Sequence, residues 1–248
     1  MNTSAQGSGH PTGESLVFIH GSGDTAHGWD GVIERLERLG AGRGRTMAVD
    51  LPGHGAQARV SMDGLDTVSD YAQVVCAEID RAGLGAVTLV GHSLGSAIAL
   101  QLAVDRPERV RRLVLIGGGA RLRVLPALLE TARTQPAAAL RQITLLAHAP
   151  EHAALAEAYL VAGGPTAADA LYRDLRACDR FDVTGELAGV RQPTLVLVGT
   201  EDRLTPPKYA RFLAEHLAQS TLVEIAGAGH QLMHEAPDQV ASAIGSWL

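Results

Sequence analysis

Short apolar runs alternate along the chain with stretches whose apolar residues recur every three or four positions. That alternation is the pattern of strands and helices laid in turn into a mostly parallel sheet. The runs predict strands over Leu16–His20, Arg45–Asp50, Ala86–Gly91, Arg112–Gly117, Thr194–Gly199 and Thr221–Ile225. The helical spacing predicts helices over Trp29–Leu39, Val68–Ala82, Leu94–Val104, Pro207–Leu217 and Pro237–Trp247. Between Gly119 and Gly189 no strand pattern interrupts the helical one. Leu122, Leu125, Leu128 and Leu129, then Leu140, Ile143, Leu145 and Leu146, then Leu155 and Tyr159, then Leu171 and Leu175 mark three or four inserted helices. An insertion at the carboxyl end of a parallel sheet lies over the crevice where such sheets bind ligands, so it is expected to act as a lid. The organisation expected is a polar, flexible start over residues 1–15, an α/β core over 16–118 and 189–248 with helices on both sheet faces, and a helical cap over 119–188.

A length of 248 residues with 46% apolar content suits one large α/β domain that can bury its core without staples. The formal charge of −6, with no basic tract, argues against a nucleic-acid partner. Cys76 and Cys178 stand far apart, without C-x-x-C spacing, and read as reduced thiols. Residues 1–15 lack the charged start and apolar centre of a secretion signal, and no apolar run is long enough to span a membrane. These features predict a soluble, cytoplasmic protein, a monomer or small homo-oligomer.

The chemistry centres on Gly91-His92-Ser93-Leu94-Gly95, between a strand and a helix. A serine becomes a nucleophile only where its hydroxyl projects toward a base. A sharp strand-to-helix turn achieves this, and the glycines two positions away on either side remove the side chains that would clash. The same pattern also occurs as a plain connection, so its weight depends on partners. Ten histidines compete for the role of base. His230, in Ala226-Gly227-Ala228-Gly229-His230 after the last strand, is favoured, and His234 is expected to begin the final helix and point elsewhere. For the orienting carboxylate, Asp202 in the loop after the penultimate strand is favoured over its neighbour Glu201 and over Asp179 and Asp182, with Thr205-Pro206-Pro207 fixing that loop. The oxyanion donors expected are the N–H groups of Leu94, at a helix start, and of Ser22, in the turn His20-Gly21-Ser22-Gly23. That turn has a rival reading. Gly21-Ser22-Gly23-Asp24-Thr25-Ala26 matches a dinucleotide fingerprint, with Asp50 where a ribose-binding acid would stand. An NAD(P)-dependent oxidoreductase would leave Ser93, Asp202 and His230 without a common purpose.

Taken together, the His20-Gly21 turn with Trp29 downstream, Asp50-Leu51-Pro52-Gly53-His54-Gly55, the Gly91–Gly95 elbow, the Gly199–Pro206 loop, and Gly229-His230 followed by Glu235 and Pro237 resemble the alpha/beta-hydrolase superfamily over about residues 16 to 248. The resemblance implies a serine hydrolase with Ser93 as nucleophile, Asp202 as acid and His230 as base, capped by residues near 119–188. A serine at the elbow argues against the haloalkane dehalogenases and epoxide hydrolases, which carry aspartate there. The family has two strands before the one leading into His20-Gly21, whereas only fifteen residues precede Leu16. That leading hairpin is therefore expected to be missing or reduced, leaving about six parallel strands. The expected activity is carboxylesterase-like cleavage of small to medium, mostly apolar acyl esters through an acyl-enzyme, with no metal or organic cofactor. Lactonase, thioesterase and carbon–carbon bond hydrolase activities on the same triad stay open, as does a ligand receptor without catalysis. Trp29, Leu145 and Leu146 are expected to line the substrate pocket.

Overall fold

A computed structural model describes residues 13–41, 44–162, 166–167 and 169–248. The expectations of a flexible start and a reduced leading hairpin fall mainly on residues 1–12, outside the described residues. Six strands, β1 (Leu16–Ile19), β2 (Thr46–Val49), β3 (Val87–His92), β4 (Val110–Ile116), β5 (Thr194–Gly199) and β6 (Ser220–Ile225), form one sheet in the order β2-β1-β3-β4-β5-β6. Every pairing is parallel. The helices of the core are α1 (Asp30–Arg38), α2 (Val68–Arg81) and α3 (Leu94–Asp105), followed after the insertion by α8 (Pro207–His216), α9 (Leu232–Glu235) and α10 (Pro237–Trp247).

β1, β3 and β5 are buried along their whole length, as strands covered on both faces must be. Alternate residues then serve two separate cores. Val17, Ile19, Leu89, Leu113, Leu115, Val196 and Val198 pack on the side of α2, α3 and α8, while Leu16, Phe18, Val90, Val114, Ile116, Leu195 and Leu197 pack on the side of α1 and α10. α3 is buried on nearly every side. α2 begins with a capping box, in which Thr67 accepts from the Asp70 N–H and the Asp70 carboxylate accepts from the Thr67 N–H.

Between β4 and β5 the chain leaves the sheet for α4 (Pro126–Thr134), α5 (Pro136–Ala147), α6 (Ala153–Ala162) and α7 (Ala170–Arg180). Their own small core joins Ala132, Ala139, Leu171 and Leu175 to Leu128, Leu129, Leu140 and Ile143. The two ends of the excursion are stitched together where Leu122 N–H donates to Phe181 O and Val183 N–H to Ala120 O, at 3.3 and 2.8 Å. The chain runs from β1 outward to β2, then back across β1 to β3. The carboxyl ends of β1 and β3 therefore adjoin at a point where the winding reverses, the position at which open α/β sheets leave a crevice. The register pairs Ile19 with Gly91, so the turn after β1 lies beside the turn after β3.

Candidate active site

Ser93 takes φ 52° and ψ −114°, and among the described residues it is the only non-glycine with positive φ. A side chain in that region is strained by about 1–3 kcal/mol, held only because its surroundings leave no alternative. Here they do. Ser93 N–H donates to Ile116 O at 2.9 Å. A Cβ on Gly91 would run into the Gly95 carbonyl, and one on Gly95 would run into the Ile19 carbonyl. The two glycines let helix, turn and neighbouring strand meet backbone to backbone. Ser93 is half-buried, whereas His92 and Leu94 on either side are fully enclosed. Leu94 N–H opens α3 and so has no acceptor within its helix.

The turn after β1 is a four-residue reversal in which Asp24 N–H donates to Gly21 O at 3.2 Å, with Gly23 at φ 73° as a type II turn requires. His20 anchors it. Its Nδ1–H donates to Gly21 O at 2.8 Å and its Nε2 accepts from Leu51 N–H at 3.0 Å, which defines a neutral ring. Burial, then the neighbouring His54, lowers the His20 pKa and keeps it neutral. Gly21 lies against the nucleophile turn, since a Cβ there would sit 3.1 Å from Ser93 Cβ and 2.8 Å from His92 Nδ1. The turn does not open a helix. It leads through extended Thr25 to a 3-10 turn over Ala26–Trp29 before α1 begins. Asp50, the would-be ribose ligand, spends its carboxylate on Ala26 N–H at 2.7 Å and Ala56 N–H at 2.8 Å. The dinucleotide reading therefore fails on geometry.

Asp202 and His230 are both buried, and His230 Nδ1 lies 2.8 Å from Asp202 Oδ2. A carboxylate can only accept, so Nδ1 carries the proton and Nε2 keeps its lone pair. The other carboxylate oxygen of Asp202, Oδ1, accepts from Leu204 and Thr205 N–H at 2.9 and 2.8 Å. Glu201, the competing acid, is exposed. Asp179 and Asp182 serve the neck of the insertion: Asp179 Oδ1 accepts from Val124 N–H at 3.0 Å, and Asp182 faces Arg121 and Arg123, each at 3.8 Å. The His230 backbone is held from below by His92, whose Nε2–H donates to His230 O at 3.0 Å, and from above by Ala147 O at the end of α5, 2.6 Å from His230 N. Gly117, at φ 55°, floors the imidazole; a Cβ there would lie 3.1 Å from both Nδ1 and Cε1 of His230.

Ser93, Asp202, His230, Ser22 and Leu94 thus stand on turns at one edge of the sheet, and the three expected pocket residues do not join them. Trp29 is fully buried in the core on the α1 side of the sheet, its ring 5.3 Å from that of Phe18. Leu145 and Leu146 are turned outward, 39% and 36% exposed. The α5 side chain over the β1 turn is Leu140 instead: its Cδ1 is 2.9 Å from where a Cβ on Gly23 would be, and Leu171 Cδ1 of α7 is 3.5 Å away. α5 carries leucine or isoleucine on several sides, so spacing alone could not say which faces inward.

Three groups near the site make contacts that sequence spacing did not specify. Thr205 Oγ1 lies 2.9 Å from Asp202 Oδ2, 3.1 Å from His230 Nδ1 and 2.9 Å from Gly117 O. Glu235 Oε2 gathers Gly229 N–H, Ala149 N–H and His152 Nδ1 at 3.0, 2.9 and 2.7 Å, tying the His230 loop to the inserted helices. Asp174 of α7 meets His54 Nε2 at 3.1 Å and accepts from Tyr71 Oη at 2.8 Å, all buried. Burial pulls the His54 pKa down, but the Asp174 carboxylate outweighs it and holds the ring above its ordinary value. His234 sits within α9, not at the start of the last helix, its ring 5.2 Å from that of Tyr159.

The model of the alpha/beta hydrolase family matches residues 16–243. The chain is similar to the pimeloyl-acyl-carrier-protein methyl ester esterase of Nitrosomonas europaea, 32% identical over 247 residues that cover 93% of this chain and 94% of that protein. A solved thermophilic esterase is 34% identical, with a TM-score of 0.77 over 94% of this chain and 88% of that one. The enol-lactonase of Burkholderia xenovorans LB400, 22% identical, shares the fold with a TM-score of 0.85 over 96% of this chain and 92% of that one. No helix among the described residues is long and apolar enough to cross a membrane.

Proposed function

The chain belongs to the alpha/beta hydrolase family, and we propose that within it this protein is a serine carboxylesterase acting through Ser93, His230 and Asp202. The observation that carries the reading is the strained Ser93 turn, whose His92 ring lies 4.7 Å from that of buried His230, together with the His230 Nδ1–H taken by Asp202 at 2.8 Å. That tautomer leaves Nε2 free to accept the Ser93 proton as Oγ attacks the ester carbonyl. Charge then develops on the carbonyl oxygen, and the N–H groups of Ser22 and Leu94 are the donors for it; one such donor is typically worth about 10²–10³ in rate. His230 passes its proton to the leaving alcohol. A water deprotonated by the same ring hydrolyses the acyl-enzyme and restores Ser93. Asp202 stays ionised throughout, holding the tautomer and offsetting the imidazolium charge. The chemistry asks for no metal or organic cofactor.

The substrate class we propose is an ester with a small to medium, mostly apolar acyl chain. Leu140 and Leu171, set over the β1 turn by the inserted helices, supply an apolar surface for it. The inserted helices would then serve as the cap. The Nitrosomonas relative is named for a methyl ester of an acyl chain, which agrees with a small alcohol as leaving group. Free Cys76 and Cys178 suit a reducing compartment such as the cytoplasm. Hydrolysis of p-nitrophenyl esters of rising acyl length, compared between wild type and Ser93→Ala, tests the reading. Turnover that favours short to medium chains and vanishes in the variant is expected; turnover that survives Ser93→Ala overturns it.

A further inference from the structure

Asp202 and His230 account for two corners of a compact hydrogen-bonded triangle, and Thr205 is the third. Its Oγ1 stands 2.9 Å from Asp202 Oδ2 and 3.1 Å from His230 Nδ1, while Nδ1 and Oδ2 are 2.8 Å apart. All three residues are buried, so water does not substitute freely for any of these contacts. The hydroxyl has one proton and two acceptors in reach, Asp202 Oδ2 and Gly117 O, both at 2.9 Å. Its lone pairs face the Nδ1–H of His230. Gly117 follows β4 and floors the imidazole, so the hydroxyl ties together the turn below the ring, the acid and the ring itself.

The local chain fixes this oxygen in place. Leu204 N–H donates to Asp202 Oδ1 at 2.9 Å and closes an Asx turn, Thr205 N–H donates to the same oxygen at 2.8 Å, and Pro206-Pro207 lead rigidly into α8. Oδ1 of Asp202 is already engaged by the Leu204 and Thr205 N–H groups, so the orientation of Oδ2 decides where Nδ1 points. A carboxylate held by one oxygen can still swing about its Cβ–Cγ bond. A hydroxyl beside the second oxygen stops that swing. In a base whose Nε2 must meet Ser93 Oγ within a few tenths of an ångström, rotation of the ring is lost rate.

We propose that Thr205 is a positioning residue for the proposed triad, its hydroxyl locking the Asp202–His230 pair in the productive orientation. The role depends on the hydroxyl and not on the bulk of the side chain. It therefore acts on kcat and leaves substrate binding alone. The inference rests on the esterase reading above, and the test separates the two.

Wild type is first titrated with a fluorophosphonate and shown to turn over an aryl ester; absence of both would sink the esterase reading itself. Thr205→Val keeps shape and loses the hydroxyl, and Thr205→Ser keeps the hydroxyl. Each variant is normalised to its own titrated active sites, so misfolded protein drops out. Thr205→Val is expected to lose roughly 10- to 100-fold in kcat, with KM changed by less than about twofold, and Thr205→Ser to stay within about threefold of wild type. Should Thr205→Val fail to fold, Thr205→Ala replaces it in the same comparison with Thr205→Ser. Per-site kcat in the hydroxyl-free variant equal to wild type overturns the proposal, even if its melting temperature falls. So does a serine variant as slow as the valine or alanine one.

Discussion

The strain at Ser93 can be weighed by removing the nucleophile in two ways. Ser93→Ala deletes the hydroxyl and keeps a Cβ in the unfavourable conformation, φ 52° and ψ −114°. Ser93→Gly deletes the Cβ as well. A non-glycine residue in such a region costs about 1–3 kcal/mol, whereas glycine returns about 0.4–1 kcal/mol through the greater freedom of its unfolded chain. The net expectation, taking the middle of each range, is that Ser93→Gly is more stable than Ser93→Ala by about 1.3 kcal/mol. For a domain of this size each kcal/mol moves Tm by about 2–4 °C, so the gap should be roughly 3–5 °C. Both variants should be inactive toward aryl esters, which makes the comparison one of stability between two dead proteins. Thermal unfolding followed by circular dichroism or calorimetry reads it. A glycine variant that melts at or below the alanine variant would refute the reasoning, because glycine would then be paying its ordinary entropy with no strain to relieve.

Asp202→Asn should leave the fold intact and lower kcat by about 10³–10⁴, since an amide no longer selects the Nδ1–H tautomer of His230; steady-state kinetics on folded protein checks this. Gly95→Ala should abolish folding, because its Cβ would meet the Ile19 carbonyl, whereas Gly85→Ala, which meets nothing within 4 Å, should change stability by no more than about 0.5 kcal/mol; soluble yield and denaturant midpoints distinguish them. Acid should weaken the fold well above the carboxylate range. Burial, reinforced by His54 for His20 and by His230 for His92, holds both rings below their ordinary value, so below about pH 6.5 the unfolded chain takes up protons that the native one refuses. Each such group costs about 1.4 kcal/mol per pH unit until its native value is reached. His54 has the opposite sign, its stabilisation complete below the ordinary histidine value and lost as pH rises through its raised native value. Urea midpoints that fall from pH 6.5 to 5.5 are expected, and a flat profile would contradict the burial of neutral rings.

Much of this architecture was written locally. The strand runs and the Gly91–Gly95 spacing depend on neighbours a few residues apart, and they could be read because a buried parallel strand is apolar throughout and a nucleophile turn has room only for glycine at its flanks. Strand limits shifted slightly: β4 begins at Val110, where a register irregularity opposite Val87 and Thr88 admits two more residues than the apolar run suggested. What stayed hidden depends on the approach of distant segments. Asp174 and His54 lie 120 positions apart and carry no spacing that announces a pair. Thr205 could be read as a helix lead-in, yet the direction of its hydroxyl is set by Gly117 and His230, which arrive from other strands. Leu145 and Leu146 were misread because α5 is apolar on more than one side, and only its packing on α4 and α7 turns Leu140 inward. Trp29 was misread because it packs against Phe18 in the core on the α1 side of the sheet, a contact that sequence distance does not carry.

The central claim is that Ser93 is an activated nucleophile. Covalent labelling with a fluorophosphonate, followed by mass-spectrometric mapping of the modified peptide, tests it most directly. The account predicts stoichiometric modification at Ser93, lost in His230→Ala and in denatured protein. No modification of the native protein, or modification at another serine with Ser93 untouched, would contradict it.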